Sequence, residues 1–143
     1  MPLQRPCAPP KALSKILAEN KLKSVVFCSS IEEVKRMSAL LHSRGFAEYA
    51  PLHSELKSFQ RNSAIKRFSS GKIRVLIATD LAARGVHFKN ARRVYSLGVS
   101  QKFYLHRAGR TGRMHESGEC VSIVLAAEVP ALIRVFSSLG IVG

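Results

Sequence analysis

Acidic residues are scarce in this chain. Of its 143 residues, 9 are Asp or Glu and 23 are Lys or Arg, a formal net charge of +14. That balance suits a polyanionic partner: nucleic acid, nucleotide phosphate or an anionic membrane surface. A passive basic protein satisfies the same arithmetic, so charge alone names no activity. Cysteine is also scarce. Cys7, Cys28 and Cys120 are odd in number, far apart and form no C-x-x-C pair, so neither a zinc site nor a disulfide framework is indicated. Cys28 and Cys120 lie in apolar runs and read as small buried hydrophobes, which suits a reducing, intracellular compartment. No apolar run approaches the roughly 18 residues of a membrane span, so no span is expected, and no membrane is expected among the partners. The hydrophobic content is nonetheless 46%, which argues for a packed core and against disorder. The length suits one compact unit, able to bury roughly 70% of its unfolded surface.

The positive charge is concentrated. Between residues 56 and 115 there are fourteen basic residues and a single acid, Asp80. Such asymmetry favours a functional surface over an evenly solvated face. The proline-rich residues 1–10 carry no apolar stretch long enough for a secretory signal and read as a flexible lead-in.

Helical and extended patterns alternate along the rest, residues 11–143. Residues 11–20 place Leu13, Ile16 and Leu17 at helical spacing. SVVFC (24–28) is a short, β-branched apolar run, as expected of a buried parallel strand. Ser29 or Ser30 can cap the following helix, with Glu32 and Glu33 in its first turn and Val34, Met37, Leu40 and Leu41 on one face, ending near Gly45. A weaker strand is expected over 46–52 and a basic helix over 58–68, with Ile65 and Phe68 inward. Further strands are expected at 74–78, 93–97 and 119–125. The last helix, 129–139, is very apolar and reads as core packing. This alternation predicts an α/β fold with a mostly parallel sheet covered on both faces. Ligands then bind beyond the carboxyl ends of the strands, at 29–30, 53–54, 79–80 and 98–100.

Two segments carry the sharpest chemistry. YLHRAGRTGR (104–113) spaces Arg107, Arg110 and Arg113 three apart with glycines between them. Guanidinium groups offer planar paired donors to phosphate, and glycine lets the backbone come close to a ligand. ATDLAARG (78–85) directly follows a predicted strand, so Thr79 and Asp80 fall at its carboxyl end. Thr79 can donate to phosphate, Asp80 can orient an arginine, and the pair can also cap a short helix.

These two segments, with SVVFCSS (24–30) and HSELKSFQRNSAIKRF (53–68), resemble in order and spacing the second, C-terminal RecA-like domain of DEAD-box RNA helicases. The resemblance implies a RecA-like three-layer sandwich. Its partners would be RNA and the N-terminal RecA-like domain of the same protein, and the chain itself would be monomeric. It implies that Arg110 and Arg113 reach the ATP phosphates, with Arg113 nearest an arginine finger, and that Arg84 and His87 lie at the nucleotide. It further implies that His106, Arg107 and Asp80 couple the two domains. Ser30, Ser54, Arg61 and Thr79 fall on positions that grip the RNA sugar-phosphate chain and bend one strand, which implies local strand separation. The pattern departs at His87, where aspartate is usual, at Ser54, where glycine is usual, and at Ser58, where glutamine is usual. LGVS (97–100) replaces the usual turn. Neither a G-x-x-x-x-G-K-[ST] phosphate loop nor an Asp-Glu-Ala-Asp string is present. ATP and Mg²⁺ are therefore expected only with the N-terminal domain, and the chain alone is expected to be inactive. A nucleic-acid-binding or RNA-chaperone domain that has lost ATP use is the competing reading. His87 and the altered turn favour it, and the arginine triplet favours the helicase.

Overall fold

A computed structural model describes residues 9–88, 90–98 and 119–138. Helix α1 (Pro9–Glu19) leads into strand β1 (Ser24–Cys28), helix α2 (Ile31–Ser43) and strand β2 (Tyr49–Leu52). Helix α3 (Ser58–Ser70), strand β3 (Val75–Thr79) and the one-turn helix α4 (Asp80–Ala83) follow. Strands β4 (Arg93–Leu97) and β5 (Glu119–Ile123), a 3₁₀ turn (Ala126–Glu128) and helix α5 (Val129–Ser138) complete the described elements. The strands form a sheet in the order β2-β3-β1-β4-β5, and every described pairing is parallel.

β1 lies at the centre, and all five of its residues are buried. Its alternate side chains serve two cores, as a two-residue period requires. Val26 and Cys28 face Leu13, Leu17, Val34, Met37 and Leu41 of α1 and α2. Val25 and Phe27 face Ala64 and Phe68 of α3, with Ala83 and Phe88 beyond. Helices thus cover both faces, and the three-layer RecA-like expectation holds.

Several boundaries differ from expectation. α1 begins at Pro9, inside the anticipated lead-in; proline is tolerated in a first turn, where its missing N–H has no intrahelical partner. β2 begins at Tyr49, because residues 45–46 wrap the end of α2: Gly45 N–H donates to His42 O and Phe46 N–H to Leu41 O. Phe46 then lies beneath the Arg74 guanidinium, 4.5 Å from its ring centroid. β5 ends at Ile123, since Leu125 N–H donates to the Glu128 carboxylate at 2.8 Å and the chain turns. On α3 the deepest residues are Ala64 and Phe68, with Ile65 half-buried. Helix α5 is less internal than its composition suggests: Val135 is buried, whereas Val129 and Ile133 are exposed.

Candidate nucleic-acid interface

Parallel register keeps the strand ends level. Cys28 lies opposite Thr79, Leu52 opposite Ala78, and Phe27 opposite Ser96. Ser29-Ser30, His53-Ser54, Asp80 and Gly98 therefore emerge at one height along the carboxyl edge. Gly98 takes φ +81, and a Cβ there would sit 3.9 Å from the Ser29 hydroxyl oxygen. The resemblance-based RNA positions Ser30, Ser54 and Thr79 are thus brought to one edge, and α3 starts beside them with Arg61 on its first turns.

The local chemistry of each position follows from its place. Ser30 is exposed and extended, and caps α2 by accepting from Glu33 N–H at 3.2 Å. Ser29 N–H in turn donates to the Glu33 carboxylate at 3.3 Å. Thr79 is buried and caps α4 by accepting from Ala82 N–H at 3.3 Å. Each hydroxyl accepts as a cap and keeps its own O–H to donate. Asp80 is buried in the first turn of α4. Ser54 is exposed and adopts an ordinary backbone; Asn90 is the one non-glycine residue with positive φ among those described. Serine therefore replaces the usual glycine there without left-handed strain.

α3 opens with Lys57, whose N–H donates to the Gln60 side chain at 2.9 Å, and has no acid in its first turn. A helix start normally favours negative charge. This one is flanked by Lys57 and Arg61. Arg61 Nε is buried with no hydrogen-bond partner among the described residues, and so is His53 Nδ1. A buried donor or acceptor left unpaired costs about 1–3 kcal/mol. His53 falls in the 53–54 segment expected to carry chemistry from its place directly after a strand, although the sequence pattern assigns its side chain no role. The ion pairs among described residues, Lys35–Glu55, Arg36–Glu32 and Arg74–Glu48, neutralise none of Lys57, Arg61, Lys66, Arg67, Lys72 or Arg84.

Arg84 and His87 are both exposed on the segment after α4. Gly85, at φ +77, supplies the left-handed turn between them. Phe88 pins this segment to the sheet: its ring meets Phe27 edge-on at 6.4 Å and Phe68 at 6.2 Å. His106, Arg107, Arg110 and Arg113 lie outside the described residues. No group of three or more His, Cys, Asp or Glu among the described residues has the arrangement to hold a metal ion. No helix among them is long and apolar enough to cross a membrane.

Residues 8–115 match the helicase conserved C-terminal domain. ATP-dependent rRNA helicase RRP3 of Gibberella zeae is 37% identical over 119 residues, covering 82% of this chain and 24% of the relative. The chain spans about a quarter of the length of the curated relatives it matches. Among solved structures, the E. coli DEAD-box protein SrmB, bound to regulator of ribonuclease activity A, superposes with a TM-score of 0.80 at 32% identity. That match covers 91% of this chain and 78% of SrmB as solved. Domain 2 of the Mss116p DEAD-box helicase, bound to an RNA duplex, gives 0.76 at 26% identity over 93% of this chain and 54% of that one. Fold, carboxyl edge and motif order define a RecA-like helicase domain. The chain belongs to the helicase conserved C-terminal domain family, in its DEAD-box branch.

Proposed function

We propose that the chain is the RNA-gripping and phosphate-facing half of an ATP-dependent RNA helicase core. The observation that carries this reading is the level carboxyl edge. It brings the segments that carry the Ser30 and Thr79 hydroxyls and the Ser54 backbone to one end of the sheet, where α3 begins with an Arg61 whose Nε has no partner among the described residues. Short hydroxyl donors and a guanidinium suit sugar-phosphate oxygens, which confer position and affinity but little sequence information. The names of the relatives support RNA as ligand: RRP3 is an rRNA helicase, and Mss116p domain 2 is bound to an RNA duplex.

The exposed Arg84 and His87 fit the outer side of a nucleotide, with Arg110 and Arg113 assigned to its phosphates and His106, Arg107 and Asp80 to coupling between domains. Fixed cations beside a transferring phosphoryl group stabilise its developing charge; an arginine finger is worth about 10³–10⁵ in rate. The Mg²⁺ ligands are assigned to the N-terminal domain, because this sequence carries neither a G-x-x-x-x-G-K-[ST] phosphate loop nor an Asp-Glu-Ala-Asp string. Bound Mg²⁺-ATP supplies the phosphoryl chemistry, and this chain supplies fixed positive charge and the grip on RNA.

The test is fluorescence anisotropy with single-stranded RNA. Arg61→Ala or Thr79→Ala should weaken binding by about tenfold, as loss of about 1.4 kcal/mol implies. Arg134→Ala, outside the motifs on α5, should change it little. Equal losses at all three positions would replace a defined path with diffuse electrostatics. RNA-stimulated ATP hydrolysis should be absent from the pure chain and appear when the N-terminal domain is supplied. Turnover by the chain alone, abolished by Arg113→Ala, would overturn the division of labour.

A further inference from the structure

α3 presents a second face that the carboxyl-edge path does not use. Its inward side is Ala64 and Phe68, which hold it to the sheet. Its outward side carries Phe59, Asn62, Ser63, Lys66, Arg67 and Ser70, at the three- and four-residue spacing that puts side chains in one stripe. Phe59 is 68% exposed, the most exposed large apolar side chain among the described residues. Exposed phenylalanine is unremarkable when isolated. This one borders two surface depressions. One, about 650 Å³, is lined by Phe59, Ser63, Lys66, Arg67 and Lys72 among others. The other, about 270 Å³, lies between α3 and Pro51 of β2 and shares Phe59, Ser63 and Arg67 with the first. α3 contains no acid, and none of Lys66, Arg67 or Lys72 takes part in an ion pair among the described residues.

We propose that this outward face of α3 is a second RNA-contact strip, stacking a base on Phe59 and holding phosphates on Lys66, Arg67 and Lys72. The inference rests on the RNA reading above and extends it beyond the carboxyl edge. Direction supports it. α3 leaves the carboxyl edge after β2 and runs back toward the start of β3, so its first turn adjoins Ser54 and Arg61 and its last turn lies at the opposite edge. From Phe59 to Ser70 the helix rises about 16 Å. A strand leaving the edge thus meets the aromatic ring first and the cations next. Single-stranded nucleic acid is recognised by an aromatic platform joined to a positive track, and every base has a face to stack. An acidic peptide would satisfy the cations and leave Phe59 without a flat partner.

The experiment uses the whole chain and two oligouridylates, of about 6 and about 15 nucleotides, within the range of single-strand sites. Phe59→Ala is expected to weaken the longer oligomer about tenfold and leave the shorter nearly unchanged. The double variant Lys66→Gln with Arg67→Gln should lower the salt dependence of the longer oligomer by about two phosphate contacts. All three positions are exposed, and circular dichroism checks that the fold is kept. If Arg61→Ala weakens both oligomers while Phe59→Ala and the double variant change neither, the strip is overturned and the edge path stands. If the unaltered chain binds neither oligomer, the RNA reading itself fails. If a polyglutamate peptide binds and is lost with Phe59→Ala while RNA binding is untouched, the face serves an acidic protein and the proposal is overturned.

Discussion

Phe88 shows how one side chain governs a functional segment. It is 5% exposed and meets Phe27 and Phe68 edge-on, an arrangement worth about 0.5–1.5 kcal/mol per pair beyond burial. Truncation of a buried phenylalanine costs about 3–5 kcal/mol. Phe88→Ala should therefore lower the denaturant midpoint sharply with an unchanged slope, and it should free Arg84 and His87 from their common anchor. At this scale the sequence was partly readable. The caps at Ser30 and Thr79 were legible, because hydroxyl residues before a helical pattern have a local geometric reason. The unpartnered Arg61 Nε and His53 Nδ1 were not, because whether a polar atom finds a partner depends on neighbours remote in the chain. The exposure of Phe59 was hidden for the same reason.

Among the elements, α3 is the least determined by its pattern. Its inward face rests on two buried residues, so its ends must be fixed locally. Gly71 does this at φ +84, with its N–H donating to Phe68 O at 3.2 Å and Lys72 N–H to Arg67 O at 2.9 Å. Those are the paired bonds of a glycine-terminated helix. Nothing lies within 4 Å of a Cβ placed there, so strain rather than crowding decides the outcome. Gly71→Ala should cost about 1–2 kcal/mol, measured as a loss of thermal stability. Strands β1 and β3 were legible because both faces are buried and every residue is apolar or small. The apolar pattern over 46–52 exceeds β2 by three residues, because Phe46 is apolar for another purpose: it covers Arg74 and closes the end of α2.

For the whole molecule, the alternation of elements gave the layers, while the strand order β2-β3-β1-β4-β5 needed the three-dimensional pairing. Which end of the sheet carries chemistry was readable, since parallel strands send all their following segments to one side. The charge has a thermodynamic signature at this scale. Single-strand binding that releases counterions from six phosphates should weaken about 300-fold between 50 and 200 mM salt. Titration of the chain with single-stranded RNA at those two concentrations checks this, and a flat response would remove phosphate contacts as the source of affinity.

The central position of β1 also bears on how the chain is made. Ser24 pairs with Val75 on one side and Arg93 on the other, both far downstream. During synthesis the run SVVFC emerges with neither neighbour available. Non-local pairing of this kind slows folding and leaves apolar strand edges open to other chains. The central, fully buried strand of the finished protein is thus a segment with both edges open while the chain is nascent.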